Sequence, residues 1–245
     1  MSAGGEDCLI YVMSDIHGCH ALFRRMCQKI DFTEEDDLYI LGDFVDRGDT
    51  PIPLLLDCME RINVYPLLGN HEAVMLQCIN GLPAEATIEN VTDFYTNEGF
   101  AVYSAWMQNG GSVTLTQYLS LPPEQRAELL AYLQEFRLYE ELTMPDGRKF
   151  VFTHSGIEDF DPERPLSDYP IDALINARPQ QSDRFYEDRT LIFGHTPTLT
   201  YPQMHGRAEI LFTETYINID CGAVFHEAGG KLGCLRLDDM KVFYV

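Results

Sequence analysis

Residues 38–51 read LYILGDFVDRGDTP; they begin as a strand made for the interior and end as something else. Leu38, Tyr39, Ile40 and Leu41 run into Gly42, and Asp43, Asp46, Arg47 and Asp49 follow directly. A turn needs one Asp or Gly. Three carboxylates and a guanidinium at the end of a buried strand imply a task that offsets the desolvation of charge.

The same event recurs along the chain. CLIYVMSDIHG (8–18) precedes it, and INVYPLLGNHE (62–72), KFVFTHSG (149–156) and TLIFGHTP (190–197) follow. Each is a continuous apolar run closed by a polar cluster, the pattern of strands covered on both faces. Helical spacing lies between: Leu22, Phe23, Met26 and Ile30 after the first cluster, and Leu54, Leu55 and Met59 after the second, with Thr50 as cap and Pro51 in the first turn. Ala73 to Ile79 reads as a helix stopped by Gly81. Residues 83–140 read as a helical insertion, in which PPEQRAELLAYLQEF (122–136) places Leu129, Leu130, Leu133 and Phe136 on one face. Residues 157–189 suggest long loops with a short helix near Ile171–Ala177, and from Ile210 the chain reads as strands. With no internal repeat and no linker, residues 1–245 are expected to form one α/β domain.

Composition narrows the function classes. The chain has 17 basic and 39 acidic residues, a net charge of −22, so non-specific binding to nucleic acid or anionic membrane is not expected. Seven cysteines without a C-x-x-C pair read as free, mostly buried thiols of a reducing compartment. MSAGGEDCLIYVMSD has neither a basic n-region nor a long apolar core, and no stretch approaches the roughly 18 apolar residues of a spanning helix. A cytoplasmic protein is expected.

The polar clusters supply Asp15, His17, Asp43, Asn70, His71, His154 and His195. Function in open α/β sheets gathers where the carboxyl ends of strands converge. Asp15 and His17, two apart, would point to one side of an extended segment. Oxygen and imidazole donors together suit Mn, Fe, Zn, Ni or Co, and the absence of cysteine among them argues against a structural zinc site. Asp43, central in the order, is placed to bridge two cations about 3.5–4 Å apart, an arrangement that hydrolyses phosphate esters through a shared hydroxide. The planar fork of Arg47 matches two phosphate oxygens.

DIHG, GDFVDRG, GNHE, HSG and GHTP at these spacings resemble the calcineurin-like metallophosphoesterases. Within them the intact VDRG and GNHE, the short length and the FGHTP…INIDCGAVF ending resemble the phosphoprotein phosphatase branch, in particular the small bacterial and phage-type serine/threonine phosphatases. The resemblance covers nearly the whole chain. It implies a β-sandwich of two mixed sheets flanked by helices, with a dinuclear site at strand C-terminal ends. It implies that Asp15 and His17 bind a first divalent metal, that Asp43 bridges, and that Asn70, His154 and His195 bind a second, with Mn foremost. His71 would be the general acid, oriented by Asp46, and Arg47 would hold phosphate. LINAR (174–178) stands where the family has a second phosphate arginine, which nominates Arg178, although Asn176 replaces the usual tryptophan. Trp106 with Gly110–Gly111 resembles a further motif, expected to pack beside the site.

Each residue has a plainer reading. A lone Asp or His ending a strand is usually a cap or turn residue, but seven in family order at family spacing are not. Arg47 as a partner of Asp43 or Asp49, Asp46 as a turn residue and Arg178 as a surface ion pair are the competing roles. His20, His205 and His226 read as non-catalytic, and the run Glu158, Asp159, Asp161 and Glu163 as a solvated loop. The expected activity is hydrolysis of phosphoserine and phosphothreonine in proteins or peptides, or of another small phosphoester. The alternative is a nucleotide hydrolase, such as a symmetrical diadenosine tetraphosphatase. A silent phosphate-binding module would need a broken ligand set, and every ligand position is filled.

Overall fold

The computed structural model describes residues 8–245. The reading of the first seven residues as lacking a basic leader lies outside the described residues. Two five-stranded mixed sheets carry the chain. The first has the order β10-β9-β1-β2-β3, with β1 Ile10–Met13, β2 Asp37–Ile40, β3 Val64–Pro66, β9 Gly233–Arg236 and β10 Lys241–Tyr244. The second has the order β4-β5-β6-β8-β7, with β4 Tyr139–Thr143, β5 Lys149–Thr153, β6 Thr190–Phe193, β7 Leu211–Phe212 and β8 Tyr216–Asn218. In each sheet three strands run parallel (β1, β2 and β3; β5, β6 and β8), and antiparallel strands complete the edges.

Alternation between two covered faces explains the continuous apolar runs within these short strands. Tyr11, Met13, Leu38 and Ile40 face the helices, whereas Val12, Tyr39 and Leu41 face the other sheet. Phe150, Phe152 and Ile192 meet them from the second sheet, and Tyr39 and Phe152 pack edge to face with ring centroids 5.0 Å apart. Val151, Leu191, Phe193 and Tyr216 turn outward to a third cluster with Leu174, Phe185 and Tyr186.

Helices α1 His20–Lys29, α2 Pro51–Met59, α3 Asn70–Ile79, α4 Asn97–Trp106, α5 Ser112–Ser120 and α6 Pro123–Gln134 include the elements covering the outer face of the first sheet. The short α7 is Ile171–Ile175. Two local expectations are corrected. α3 starts at Asn70 rather than Ala73, because Glu72 satisfies the backbone N–H of Gly69 and lets the helix begin three residues early. Thr50 does not cap α2; its hydroxyl donates to the Gly18 carbonyl at 2.9 Å and ties the two site loops together. All seven cysteines are free, and Cys58, Cys78, Cys221 and Cys234 are buried. Among the described residues no helix is long and apolar enough to cross a membrane.

Candidate metal centre

The parallel strands of both sheets end at one place. β1 leads to Asp15 and His17, β2 to Asp43, β3 to Asn70 and His71, β5 to His154 and β6 to His195. The loops after β1 and β2 continue the ladder beyond the strands: Asp15, His17 and Gly18 donate backbone N–H groups to the carbonyls of Gly42, Asp43 and Phe44 at 3.1, 2.8 and 2.7 Å.

The segment around Asp15 and His17 is not extended, so the two-apart argument for their common side fails. Both have positive φ, 50° and 46°, and Asp43, Asp46, Arg47 and His195 share that conformation. Left-handed non-glycine residues cost free energy and cluster where function over-determines the backbone. The left-handed turns, rather than the strand period, aim these side chains inward. Gly42 makes room for them: at φ 90°, a Cβ there would sit 2.7 Å from Nδ1 of His154.

Asp43 lies between two histidine groups. Its Oδ2 is 3.5 Å from Nε2 of His17, and its Oδ1 is 3.5 Å from Nε2 of His154. Nδ1 of His17 donates to the Val45 carbonyl at 2.8 Å, and Nδ1 of His154 to the Leu41 carbonyl at 2.6 Å. Each ring is thereby held with an Nε2 lone pair facing Asp43. Oδ1 of Asn70 sits 3.1 Å from Nε2 of His154 and 2.9 Å from Nδ1 of His195. Nε2 of His154 and Nδ1 of His195 are themselves 3.2 Å apart.

Acceptor atoms this close have too few protons between them to satisfy one another, and a cation supplies what they lack. Oδ1 of Asp15 is likewise buried without a hydrogen-bond partner, while its Oδ2 accepts from Ser14 Oγ and from the His195 backbone N–H. Two triplets have donor atoms all within 4.8 Å of one another: Asp43–His154–His195 and His17–Asp43–His71. The donor set therefore fits two cations sharing Asp43. His71, rather than Asp15, completes the second triplet.

Burial shapes the protonation of these groups. Desolvation pushes His17 and His195 down to about 3, so both rings are neutral at ordinary pH. Desolvation also acts to raise Asp43, but charge on the neighbouring histidines, His154 and then His71 foremost, outweighs it and holds the carboxyl below its usual range. Burial raises Asp15 to about 6.

His71 is occupied differently. Its Nδ1 lies 2.6 Å from Oδ2 of Asp46, which is fully buried. Trp106 Nε1–H donates to the same carboxylate at 2.8 Å, and the Thr114 hydroxyl at 2.6 Å. The Arg47 fork spans His17 and His71, with Nη1 2.9 Å from Nε2 of one and Nη2 2.8 Å from Nε2 of the other. Neither Asp43 nor Asp49 is its partner. Arg178 is exposed, with Nη1 donating to Thr196 Oγ1 at 3.3 Å beside His195. His20 pairs with Asp57 at 2.7 Å, away from the cluster.

Three residues at the site, Glu72, Ser14 and Thr114, carried no assigned role from sequence. Glu72 follows Asn70 and His71 on α3 and is fully buried. Its Oε2 accepts from the backbone N–H of Asp43 and Gly69, and its Oε1 from Phe44 and Val45, at 2.8–3.1 Å. It thus clamps the loop that carries Asp43, and burial followed by the Asp43 charge lifts its own carboxyl to about 7. Its place three residues after Gly69, that of a capping-box acid, was the available signal. Ser14 and Thr114 gave none. Trp106, expected only to pack, also makes a polar contact. Glu72→Gln is expected to destabilise the protein by about 2–4 kcal/mol, because the amide turns its NH₂ toward two buried donors. Urea denaturation tests this; a change under about 0.5 kcal/mol would mean the loop does not depend on the clamp.

The chain belongs to the calcineurin-like phosphoesterase family, whose model matches residues 9–220. The family works through a dinuclear metal site. Among curated proteins the chain is similar to the symmetrical bis(5'-nucleosyl)-tetraphosphatase of Delftia acidovorans, 29% identical over 150 residues covering 60% of this chain and 44% of that protein. It is also similar to the bis(5'-nucleosyl)-tetraphosphatase PrpE (asymmetrical) of Bacillus cereus, 24% identical over 263 residues covering 96% of this chain and 92% of that protein. The chain thus spans less than half of the first relative's length and nearly all of the second's. In fold it is similar to a protein serine/threonine phosphatase of Saccharomyces cerevisiae, with a TM-score of 0.57 at 16% identity over 99% of this chain and 80% of that one.

Proposed function

We propose that the chain is a dinuclear-metal phosphohydrolase whose preferred substrates are dinucleoside tetraphosphates. The observation that carries the hydrolase reading is Asp43 set 3.5 Å from a histidine nitrogen on each side, beside the Arg47–His71–Asp46 group. The substrate class is supported by the two tetraphosphatase relatives, one aligned over 92% of its length. A chain of linked phosphates also suits two guanidinium groups, Arg47 and Arg178, at different edges of one cluster.

Asp15, His17 and Asp43 would hold one cation, and Asp43, Asn70, His154 and His195 the other, with Mn²⁺ foremost and Fe, Zn, Ni or Co also compatible. When bound, the ions supply an activated water and neutralise charge on phosphoryl oxygens. Arg47 grips the phosphoryl group undergoing attack. His71, its Nδ1 tethered to Asp46, keeps Nε2 for a proton to the departing oxygen.

A second reading, a serine/threonine phosphoprotein phosphatase, draws on the acidic groove beside the site. This groove, of about 430 Å³, is lined by Glu158, Asp159, Arg178 and Asp183, and would favour basic residues next to a phosphate. The two readings predict opposite salt effects. The charge of −22 repels a tetraphosphate and attracts a basic peptide. With Mn²⁺-loaded protein, raising salt should increase kcat/KM for diadenosine tetraphosphate by roughly two- to fivefold and lower it for a basic phosphopeptide. Faster cleavage of the dinucleotide at equal concentration supports the first reading. Faster peptide turnover overturns it in favour of the second, and cleavage of neither, read as nucleotide products from the dinucleotide and as phosphate from the peptide, defeats both.

A further inference from the structure

We infer that Asn109 is a positioning residue for Arg47, and that the irregular turn between α4 and α5 serves to present it. The inference draws on the proposed function only for the phosphate that Arg47 binds. α4 ends at Trp106 and α5 begins at Ser112; between them Met107–Gly111 wind as a π-type turn. Such turns are unfavourable interruptions that collect at functional sites.

This one is built against Arg47. Gly110 has φ 98°, and a Cβ on it would meet Cγ of Arg47 at 2.8 Å. The Gly110 carbonyl accepts the Arg47 backbone N–H at 3.1 Å, and Arg47 is itself left-handed at φ 68°. Asn109, next to Gly110 and exposed, reaches the same residue with its side chain. Its Oδ1 accepts from Nη2 of Arg47 at 3.2 Å, and its Nδ2 lies 3.5 Å from Nε2 of His71. Among the described residues, the hydrogen bonds of this side chain go to Arg47 and His71 alone, so it caps no helix.

The choice of amide has a reason. A carboxylate at this position would pair with Arg47 and cancel the charge needed for phosphate, whereas a neutral acceptor fixes the fork and leaves the charge free. Asn109 and Gly110 therefore hold Arg47 at both ends, side chain and backbone, and the helical segment takes part in phosphate binding through this turn.

A mutant cycle tests this by calorimetric titration of the Mn²⁺-loaded protein with inorganic phosphate, a readout that needs no turnover. Asn109→Ala should weaken phosphate binding about tenfold, the scale of one hydrogen bond to a charged group. In an Arg47→Ala background the same change should have no effect, because the residue through which Asn109 acts is gone. Asn109→Asp should also weaken binding, and more so at low salt. Equal losses in both backgrounds, an undiminished affinity in Asn109→Ala, or no phosphate binding by the wild type would each overturn the inference. Failure of the hydrolase reading shows separately, as absent turnover with phosphate binding intact.

Discussion

Asp43→Asn is expected to reduce kcat by at least about a thousandfold, since the charge neutralisation supplied at a two-cation site amounts to several kcal/mol and each 1.36 kcal/mol is a factor of ten. The substitution nearly preserves volume, and Oδ1 can still accept the His71 backbone N–H, now at 3.1 Å. What it removes is the charge midway between His17 and His154, turning an NH₂ toward one of the two rings. Neither side then has an anionic oxygen to share, so bound metal should fall from two ions per chain toward one or fewer. Elemental analysis of the purified variant, alongside kcat and Tm, checks both statements. Two retained ions with kcat within tenfold of wild type would remove Asp43 from the bridging role.

His71→Asn should lower kcat about 10²- to 10⁴-fold on a phosphoserine peptide, the usual worth of a positioned general acid. The Asp46 carboxylate holds Nδ1 while taking hydrogen bonds from Trp106 and Thr114, which leaves it little freedom to move. Burial acts to lower His71, but Asp43 and the bond to Asp46 outweigh it, so the ring holds its proton more tightly than an ordinary histidine. The loss should shrink with the leaving group. p-Nitrophenolate and a departing nucleotide need little protonation, so the same variant should retain far more activity on p-nitrophenyl phosphate and on diadenosine tetraphosphate. A uniform loss across all three substrates would assign His71 to metal or phosphate binding, as its place in the His17–Asp43 triplet also allows.

The candidate site was legible in sequence because its residues sit at the ends of buried strands. An apolar run closed by Asp, His or Asn marks both the strand and the place where its side chains emerge, so Asp43, Asn70, His154 and His195 could be nominated without coordinates. The fold class was legible for a related reason: short runs without polar positions are stable only when covered on both faces. Other features left no local signal. Thr114 reaches Asp46 across 68 residues and Arg148 reaches the Leu237 carbonyl across 89. Such pairings follow from the packing of helices on sheets and have no period in the chain.

By itself, then, the sequence determined the donor types, their order, the strands that deliver them and the family to which the chain belongs. Tertiary structure alone decided how the donors meet. It joined three strand ends from one sheet to two from the other, turned Asp15, His17, Asp43 and His195 inward through left-handed backbone, and set Glu72 to clamp the Asp43 loop. It also brought the turn at Met107–Gly111 onto Arg47. The physical reason is the range of the forces. Hydrophobic patterning and strand propensity act between neighbours and are written along the chain. Positive φ values and buried hydrogen bonds between distant segments are tolerated only because the whole packed structure over-determines them.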